Sequence, residues 1–381
     1  MIQVYSNSLG EEELAAVSAV FQSKWLGMGK ECAAFEKELG RLWGTEQVLL
    51  LNNCSAALFI SLKALGVKAG DEVIVSTVNF LACVNAILEL GAKPVFADVD
   101  AEYLNILPEE IERLKTSRTK AVYILHYGGH PADFDRIQAA CGDRIAIIED
   151  SANSVASTYK GRYCGTLGAA GTFSFDAMKT LVMGDGGALI VKDAQAFKTA
   201  KSLRYLGFRD KTVSGVDSLK DGNSRWWEFD LDHPSGRFIS NDILAAMGRV
   251  QLGKLPGFLA RRRQVWEFYQ KGLAEVPGLL LPPEPLPGTT SSYYIYWIRL
   301  ANGRDELARH LADKGVYSTF RYFPLHLVPR YRAGVRLPIA EMLNETVLNL
   351  PLHQNLSDAD MGEVVERVRE FQFARAGRRT G

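Results

Sequence analysis

Short apolar runs that end on polar residues recur through the first half of this chain, each followed by a stretch of helical character. Val48-Leu49-Leu50-Leu51 ends in Asn52-Asn53-Cys54-Ser55, ahead of a helix expected over 56–65. Val73-Ile74-Val75 precedes Asn79-Phe80 and a helix expected over 83–90, and Pro94-Val95-Phe96-Ala97 stops at Asp98. Residues 120–125 run into Tyr127-Gly128-Gly129-His130, and 144–148 end on Glu149-Asp150, with helices expected at 108–115 and 133–141. Short apolar segments alternating with helices predict an α/β fold: a mostly parallel sheet covered on both faces. Ligands of such sheets bind beyond the carboxyl ends of the strands. The first positions to inspect are therefore 53–55, 79–80, 127–130 and 150–153.

Helices are expected at 10–22 and 31–43 as well, and strand 188–191 follows the glycine turn at 184–187. Residues 207–240 are irregular and polar, with the aromatic cluster WWEF, and are too long for an ordinary connection. Helices are expected over 241–255 and again from Arg261 to Leu273. Beyond them, strands at 293–300 and 316–320 and helices at 304–314 and 358–373 suggest a smaller α/β unit. The expected organisation is a large domain over 1–255 and a small C-terminal domain over 256–381, with a frayed basic tail.

Composition narrows the class. The 381 residues carry 44 Lys plus Arg against 44 Asp plus Glu, so affinity for nucleic acid through overall basic charge is excluded. No apolar run approaches the roughly 20 residues of a membrane span. The first residues, MIQVYSNSLGEEEL, lack the basic-then-apolar pattern of a signal peptide. Five scattered cysteines without a CxxC pair, and six histidines without ligand spacing, fit a reducing cytoplasm and no metal site. The phosphate-loop, GxSxG and HExxH motifs are absent, and the glycines at 161–171 do not form a dinucleotide fingerprint.

Four features remain. Ser55 sits where a strand turns into a helix, as a simple cap or as part of a phosphate cradle. Asp150 ends a buried strand, as a turn residue or as a partner for a protonated pyridine nitrogen. Lys179 lies in the mostly apolar stretch GTFSFDAMKT, as a snorkelling lysine or as a desolvated amine nucleophile. Phe80 follows a strand end, as core or as a stacking surface for a flat ring. Taken together they describe one ligand: a flat, phosphorylated, basic heterocycle that forms an imine with lysine, pyridoxal 5′-phosphate (PLP).

In these stretches the chain resembles the DegT/DnrJ/StrS-type nucleotide-sugar aminotransferases, which are fold-type I PLP enzymes. The resemblance runs from about residue 5 to 372 and rests on NNCSAAL (52–58), GDEVIVSTVNFLACVNAIL (70–88), HYGGHPAD (126–133), IIEDSANSVAS (147–157), FSFDAMKT (173–180), GDGG (184–187), SNDILAAMGRVQL (240–252) and LPLHQNLSD (350–358) in that order. It implies a seven-stranded, mostly parallel sheet in the large domain. It implies that Lys179 forms the imine and shuttles the proton, that Asp150 binds the pyridine nitrogen, that Phe80 stacks on the ring and that Asn153 sits near the ring hydroxyl. Ser174, with Cys54 and Ser55, would hold the phosphate. A homodimer with shared active sites would bring Arg237 from the partner's loop. Here Cys54-Ser55 replaces the more usual Gly-Thr, Asn153 replaces Gln or His, and Arg237 stands where an Asn is common.

The implied reaction moves an amino group from L-glutamate to a nucleotide-linked keto-deoxy sugar, alternating the cofactor between PLP and pyridoxamine phosphate (PMP). The favoured substrate is dTDP-4-keto-6-deoxyglucose, aminated at C4 in antibiotic-sugar biosynthesis; C3 amination and a keto-cyclitol are the alternatives. Arg237, Arg321 and His326 are the candidate substrate contacts, the cationic pair for the diphosphate. A non-catalytic regulatory member of the family and a nicotinamide-dependent sugar oxidoreductase are the rival classes. Retention of Lys179, Asp150, Ser174 and Phe80 counts against the first, the missing glycine fingerprint against the second.

Overall fold

The computed structural model describes residues 1–209, 225 and 227–371. The middle of the long 207–240 segment, with Trp226 of its aromatic cluster, and the basic tail lie outside the described residues.

The apolar runs form strands β1 (Val48–Leu51), β2 (Glu72–Ser76), β3 (Lys93–Ala97), β4 (Thr119–Leu125), β5 (Ala146–Asp150), β8 (Ala170–Ser174) and β9 (Gly187–Val191). The two-residue strands β6 (Thr158–Tyr159) and β7 (Arg162–Tyr163) lie apart from them. The large sheet has seven strands in the order β1-β9-β8-β5-β4-β2-β3. From β8 to β3 all neighbours are parallel, while β9 runs against both β1 and β8.

Both faces of this sheet are buried. Val73, Val75, Tyr123, Leu125 and Ile148 pack with helices α3 (Cys54–Ala64), α4 (Ala82–Glu89) and α7 (Ala194–Arg204). Alternate residues Ile74, Val122, Ile124 and Ile147 pack on the other side with α5 (Pro108–Leu114) and α6 (Phe134–Cys141). This is why the strands read as continuous apolar runs: side chains alternate faces, and both faces are dry. Helices α1 (Glu11–Ser23) and α2 (Lys30–Trp43) pack against the long α8 (Asp242–Leu273).

Helix α8 corrects the sequence reading, which expected two helices. It runs unbroken for 32 residues with Pro256 inside. Pro256 cannot donate to residue 252, but apolar packing on both sides holds the turn. Ala245 and Leu255 join the core of α2 and β1, whereas Val265, Trp266, Tyr269 and Leu273 join a second core. The boundary expected after 255 thus falls within a continuous helix.

The second core also contains β12 (Tyr296–Leu300), β13 (Val347–Leu350), α9 (Arg304–Asp313) and α11 (Asp358–Glu370). Strand β12 pairs antiparallel with β13 and with β10 (Leu279–Leu280), and β11 (Thr289–Thr290) pairs with β6. The strand expected from 293 begins only at Tyr296, because Tyr293 adopts a left-handed φ of 46°. The strand expected over 316–320 is reduced to isolated bridges, Val316 with Ile2 and Thr319 with Asn349. Helices α7 and α10 (Pro338–Thr346) and strand β13 were not anticipated from the sequence.

Candidate active site

Parallel strands bring their carboxyl ends to one edge of the sheet. At that edge lies a cleft of about 720 Å³, part of it open to solvent. Cys54, Ser55, Phe80, Asp150, Ser174, Lys179 and Arg321 all line it, together with Asn79, Asp185 and Tyr322. Asn153, Arg237 and His326 are not among its lining residues.

The wall after β1 is the first turn of α3. Its N-cap is Asn53, whose Oδ1 accepts from Ala56 N–H at 2.8 Å, so Ser55 is not the cap. Helix geometry leaves the N–H groups of Cys54 and Ser55 without intrahelical acceptors. Gly187 allows this turn to sit tight against β9: a Cβ there would lie 2.6 Å from Cys54 N. Burial pushes the Cys54 thiol up, and the nearby Asp150 carboxylate reinforces this, so Cys54 is a neutral thiol at neutral pH.

Asp150 projects from the end of β5 on the α3 face. It is buried, and its Oδ1 accepts one hydrogen bond, from Ala152 N–H at 3.1 Å. Burial raises its pKa; the Ala152 N–H and the Lys179 charge act the other way. Next to it, Glu149 points to the opposite face. Its Oε1 accepts from Leu167 and Gly168 N–H, and its Oε2 from Gly165 N–H, all at 2.7 Å. His126 Nδ1 accepts from Ala132 N–H, so its Nε2 carries the proton and donates to Glu149 Oε2 at 2.9 Å. Cys164 lies close enough for His126, Glu149 and Cys164 to resemble a metal-ligand cluster, but the Glu149 oxygens are already engaged by these four donors.

Lys179 is carried by the loop after β8. Phe173 and Phe175 point into the core while Ser174 between them faces the cleft. The loop closes on itself through Phe175 N–H to Gly186 O, Met183 N–H to Phe175 O and Lys179 N–H to Asp176 O, each at 2.9 Å. Lys179 Nζ donates to the Tyr294 hydroxyl at 3.4 Å and lies 4.8 Å from the centre of its ring. Burial opposes the ammonium, but Tyr294, whose hydroxyl accepts from Nζ, and Tyr322 outweigh it and hold the Lys179 pKa above its ordinary value.

Phe80 is 53% exposed, so it is not the core residue its apolar surroundings allowed; it leans on Tyr322 with centroids 6.2 Å apart. Arg321 reaches the cleft with its guanidinium 4.4 Å above the Tyr5 ring, and its Nη2 donates to Met178 Sδ at 3.3 Å. Asn153 is buried beside the cleft; its Nδ2 donates to the Tyr322 hydroxyl at 3.4 Å. Its Oδ1 and the Asn79 Nδ2 are buried with no partner among the described residues. His326 packs between Thr77, whose Oγ1 is 2.7 Å from its Nδ1, and Glu341. Arg237 pairs with Tyr205 in an isolated bridge and lies over its ring. Tyr5, Tyr294 and Tyr322 were missed from the sequence: each stands in an aromatic-rich or polar stretch with no spacing that marks it.

A family model described as the DegT/DnrJ/EryC1/StrS aminotransferase family matches residues 7–369. A dTDP-4-dehydro-2,3,6-trideoxy-D-glucose 4-aminotransferase of Saccharopolyspora spinosa is 44% identical over 378 residues, covering 98% of this chain and 97% of the relative. Among solved structures, the aminotransferase TlmJ from Streptoalloteichus hindustanus superposes with a TM-score of 0.91 at 47% identity, covering 97% of this chain and 98% of that one. The PMP form of Spr1654 from Streptococcus pneumoniae gives a TM-score of 0.90 at 27% identity, covering 97% and 98%. The sheet order, the cleft and these similarities agree, and the chain belongs to the DegT/DnrJ/EryC1/StrS aminotransferase family.

Proposed function

We propose that this protein is a PLP-dependent aminotransferase that transfers the amino group of L-glutamate to C4 of a dTDP-linked 4-keto-deoxyhexose, with dTDP-4-keto-6-deoxyglucose as the leading candidate. One observation carries the reading: an amine, a buried carboxylate and a helix N-terminus converge on a single cleft. The donor set suits the cofactor. Asp150 is a buried carboxylate with one backbone donor, which a cationic ring nitrogen would complement. The unpartnered Asn79 Nδ2 and Asn153 Oδ1 offer polar atoms where buried groups ordinarily have partners. The relative from Saccharopolyspora spinosa, which by its name acts at C4 of a dTDP-keto sugar, supports the choice of substrate and carbon.

When bound, PLP supplies an aldehyde that condenses with amines and a ring that takes up the electron pair left by proton loss. Lys179 Nζ would hold the aldehyde, and as a free amine it would take the proton from the donor α-carbon. Asp150 would accept from the ring N–H and keep the nitrogen cationic. The Cys54 and Ser55 N–H groups and the Ser174 hydroxyl would donate to the phosphate. Phe80 would cover one ring face, and Asn153, buried beside the cleft, would serve the ring hydroxyl. Arg321 offers its charge to an anionic part of the substrate.

In this reading the enzyme is a cytoplasmic homodimer, with Arg237 serving the partner's cleft from the 207–240 segment. The chain divides into a large cofactor-binding unit and a small C-terminal unit that share helix α8, with Leu259 on the core of the first and Val265 on that of the second. Its product enters deoxyamino-sugar and antibiotic biosynthesis. No helix among the described residues is long and apolar enough to cross a membrane.

The test is an absorbance spectrum of the protein before and after L-glutamate, with borohydride reduction and peptide mapping. A band at about 400–430 nm that glutamate bleaches, with the reduced adduct on Lys179, is the expected result. The PMP-loaded protein is then offered 4-keto and 3-keto dTDP-sugars and a keto-cyclitol. Turnover of only a 3-keto sugar or the cyclitol overturns the substrate; no band with added PLP overturns the enzyme.

A further inference from the structure

We propose that Tyr294 is a positioning residue behind this cleft: its phenol oxygen accepts an N–H of the Lys179 amine and fixes the direction of the Nζ lone pair while the lysine carries the proton. The inference rests on the role of Lys179 proposed above and concerns a residue that role does not include.

The geometry is local and rigid. Tyr294 is 1% exposed, and its hydroxyl is the hydrogen-bond partner of Lys179 Nζ, at 3.4 Å. Its backbone N–H donates to Gly128 O at 2.8 Å, which anchors the residue to the end of β4. Its ring stacks on Tyr5 with centroids 5.5 Å apart and planes 26° from parallel. Tyr5 in turn carries the Arg321 guanidinium, and the Arg262 guanidinium lies 5.9 Å from the Tyr294 ring. With the ring held on these sides, the hydroxyl has little freedom to follow the lysine.

A free amine turns easily about its Cε–Nζ bond. A proton carrier gains when its lone pair is already directed at the reacting carbon. Accepting one N–H supplies that restraint without occupying the lone pair. The Nζ lone pair takes the α-proton and becomes an ammonium; it then delivers that proton and returns to the neutral amine. Tyr294 keeps its own proton throughout, and nothing is oxidised or reduced.

The hydroxyl also favours the ammonium. The other groups facing Lys179 are Tyr322, the Cys54 thiol and Asp150, with Arg321, Asp176 and Asp185 on the cleft wall. Removing the Tyr294 acceptor therefore shifts Lys179 toward the neutral form, and the limb of a pH profile that reports its deprotonation moves to lower pH.

The test compares wild type with Tyr294→Phe, which keeps the ring and its stacking. In a single turnover with L-glutamate, the rate falls about 10- to 100-fold, the loss expected for one hydrogen bond to a charged group. Affinity for glutamate stays within about twofold, as for an interaction made in the reacting state alone. The isotope effect with α-deuterated glutamate rises. In cofactor-free protein, the pH midpoint of Lys179 acetylation, read by peptide mass spectrometry, moves down. Unchanged rate, isotope effect and midpoint together overturn the proposal. If Tyr294→Phe does not fold, a fluorinated tyrosine at 294 gives the same readings at nearly constant volume. Wild type that fails to form a Lys179 adduct sinks the cofactor reading instead.

Discussion

Glu149 and Asp150 are neighbours in the chain whose carboxylates serve opposite faces of β5. Glu149 is saturated by three backbone N–H groups and His126, whereas Asp150 has one backbone donor and lines the cleft. The first carboxylate builds the strand end; the second is free to meet a ligand. Their substitutions should separate accordingly. Glu149→Ala strands three buried N–H groups and should cost about 3–5 kcal/mol in urea unfolding. Asp150→Asn removes a charge that burial already disfavours, so stability should hold while PLP affinity falls in equilibrium dialysis. Equal stability losses in the two variants would contradict this division.

Lys179→Ala removes the amine that carries both covalent link and proton. Turnover should fall by about 10⁴-fold or more, given what a positioned acid–base group contributes. Folding should be unaffected, because among the described residues the Nζ makes a single hydrogen bond, to Tyr294 at 3.4 Å. Activity within tenfold of wild type would remove Lys179 from the chemistry.

Gly187→Ala tests the close approach of β9 to α3. The new Cβ would meet backbone atoms of Asn53 and Cys54 at 2.6 Å. Neither can yield without moving the first turn of α3. The expected cost is about 1–3 kcal/mol of stability, with a weaker hold on inorganic phosphate and PLP, measured by titration calorimetry.

His130 gives the protein an acid limit. It is fully buried, its ring lies 5.1 Å from Trp297, and neither nitrogen has a partner among the described residues. Burial pushes its pKa down to about 3, against about 6.5 in an unfolded chain. As pH falls, the unfolded chain takes up this proton first. Stability from this site is therefore complete above about pH 6.5 and is lost toward pH 3, at up to ~1.4 kcal/mol per pH unit. His353, lowered to about 4 mainly by burial, acts with the same sign. His130→Phe should flatten the decline between pH 7 and 5 in denaturant titrations.

The parallel sheet and the polar residues at its mouth were legible because buried strands are short apolar runs with abrupt ends, and Asp150 is one of those ends. The Lys179 loop was legible through its wording more than through any spacing. The Tyr5–Tyr294–Arg321 stack was not, since it joins the N-terminal segment, a turn before β12 and a loop of the small unit, contacts of long sequence separation. The cap is Asn53 and not Ser55, two residues later, because asparagine and serine both suit a helix start. The sequence pattern ends one helix at Leu255 and starts another at Arg261, a break that packing around Pro256 overrides. His326 carries a functional residue type in a tyrosine- and proline-rich run, and pattern alone does not distinguish a packed imidazole from one in a cleft.

Helix α8 belongs to two hydrophobic cores at once, and that has a thermodynamic consequence. Neither core can melt while the other keeps its share of the helix, unless the helix itself is broken near its centre, where Leu259 still packs on one core and Val265 already packs on the other. The two units are thereby tied into one cooperative system, and calorimetry should record a single endotherm where a pair of independently folded modules would give two.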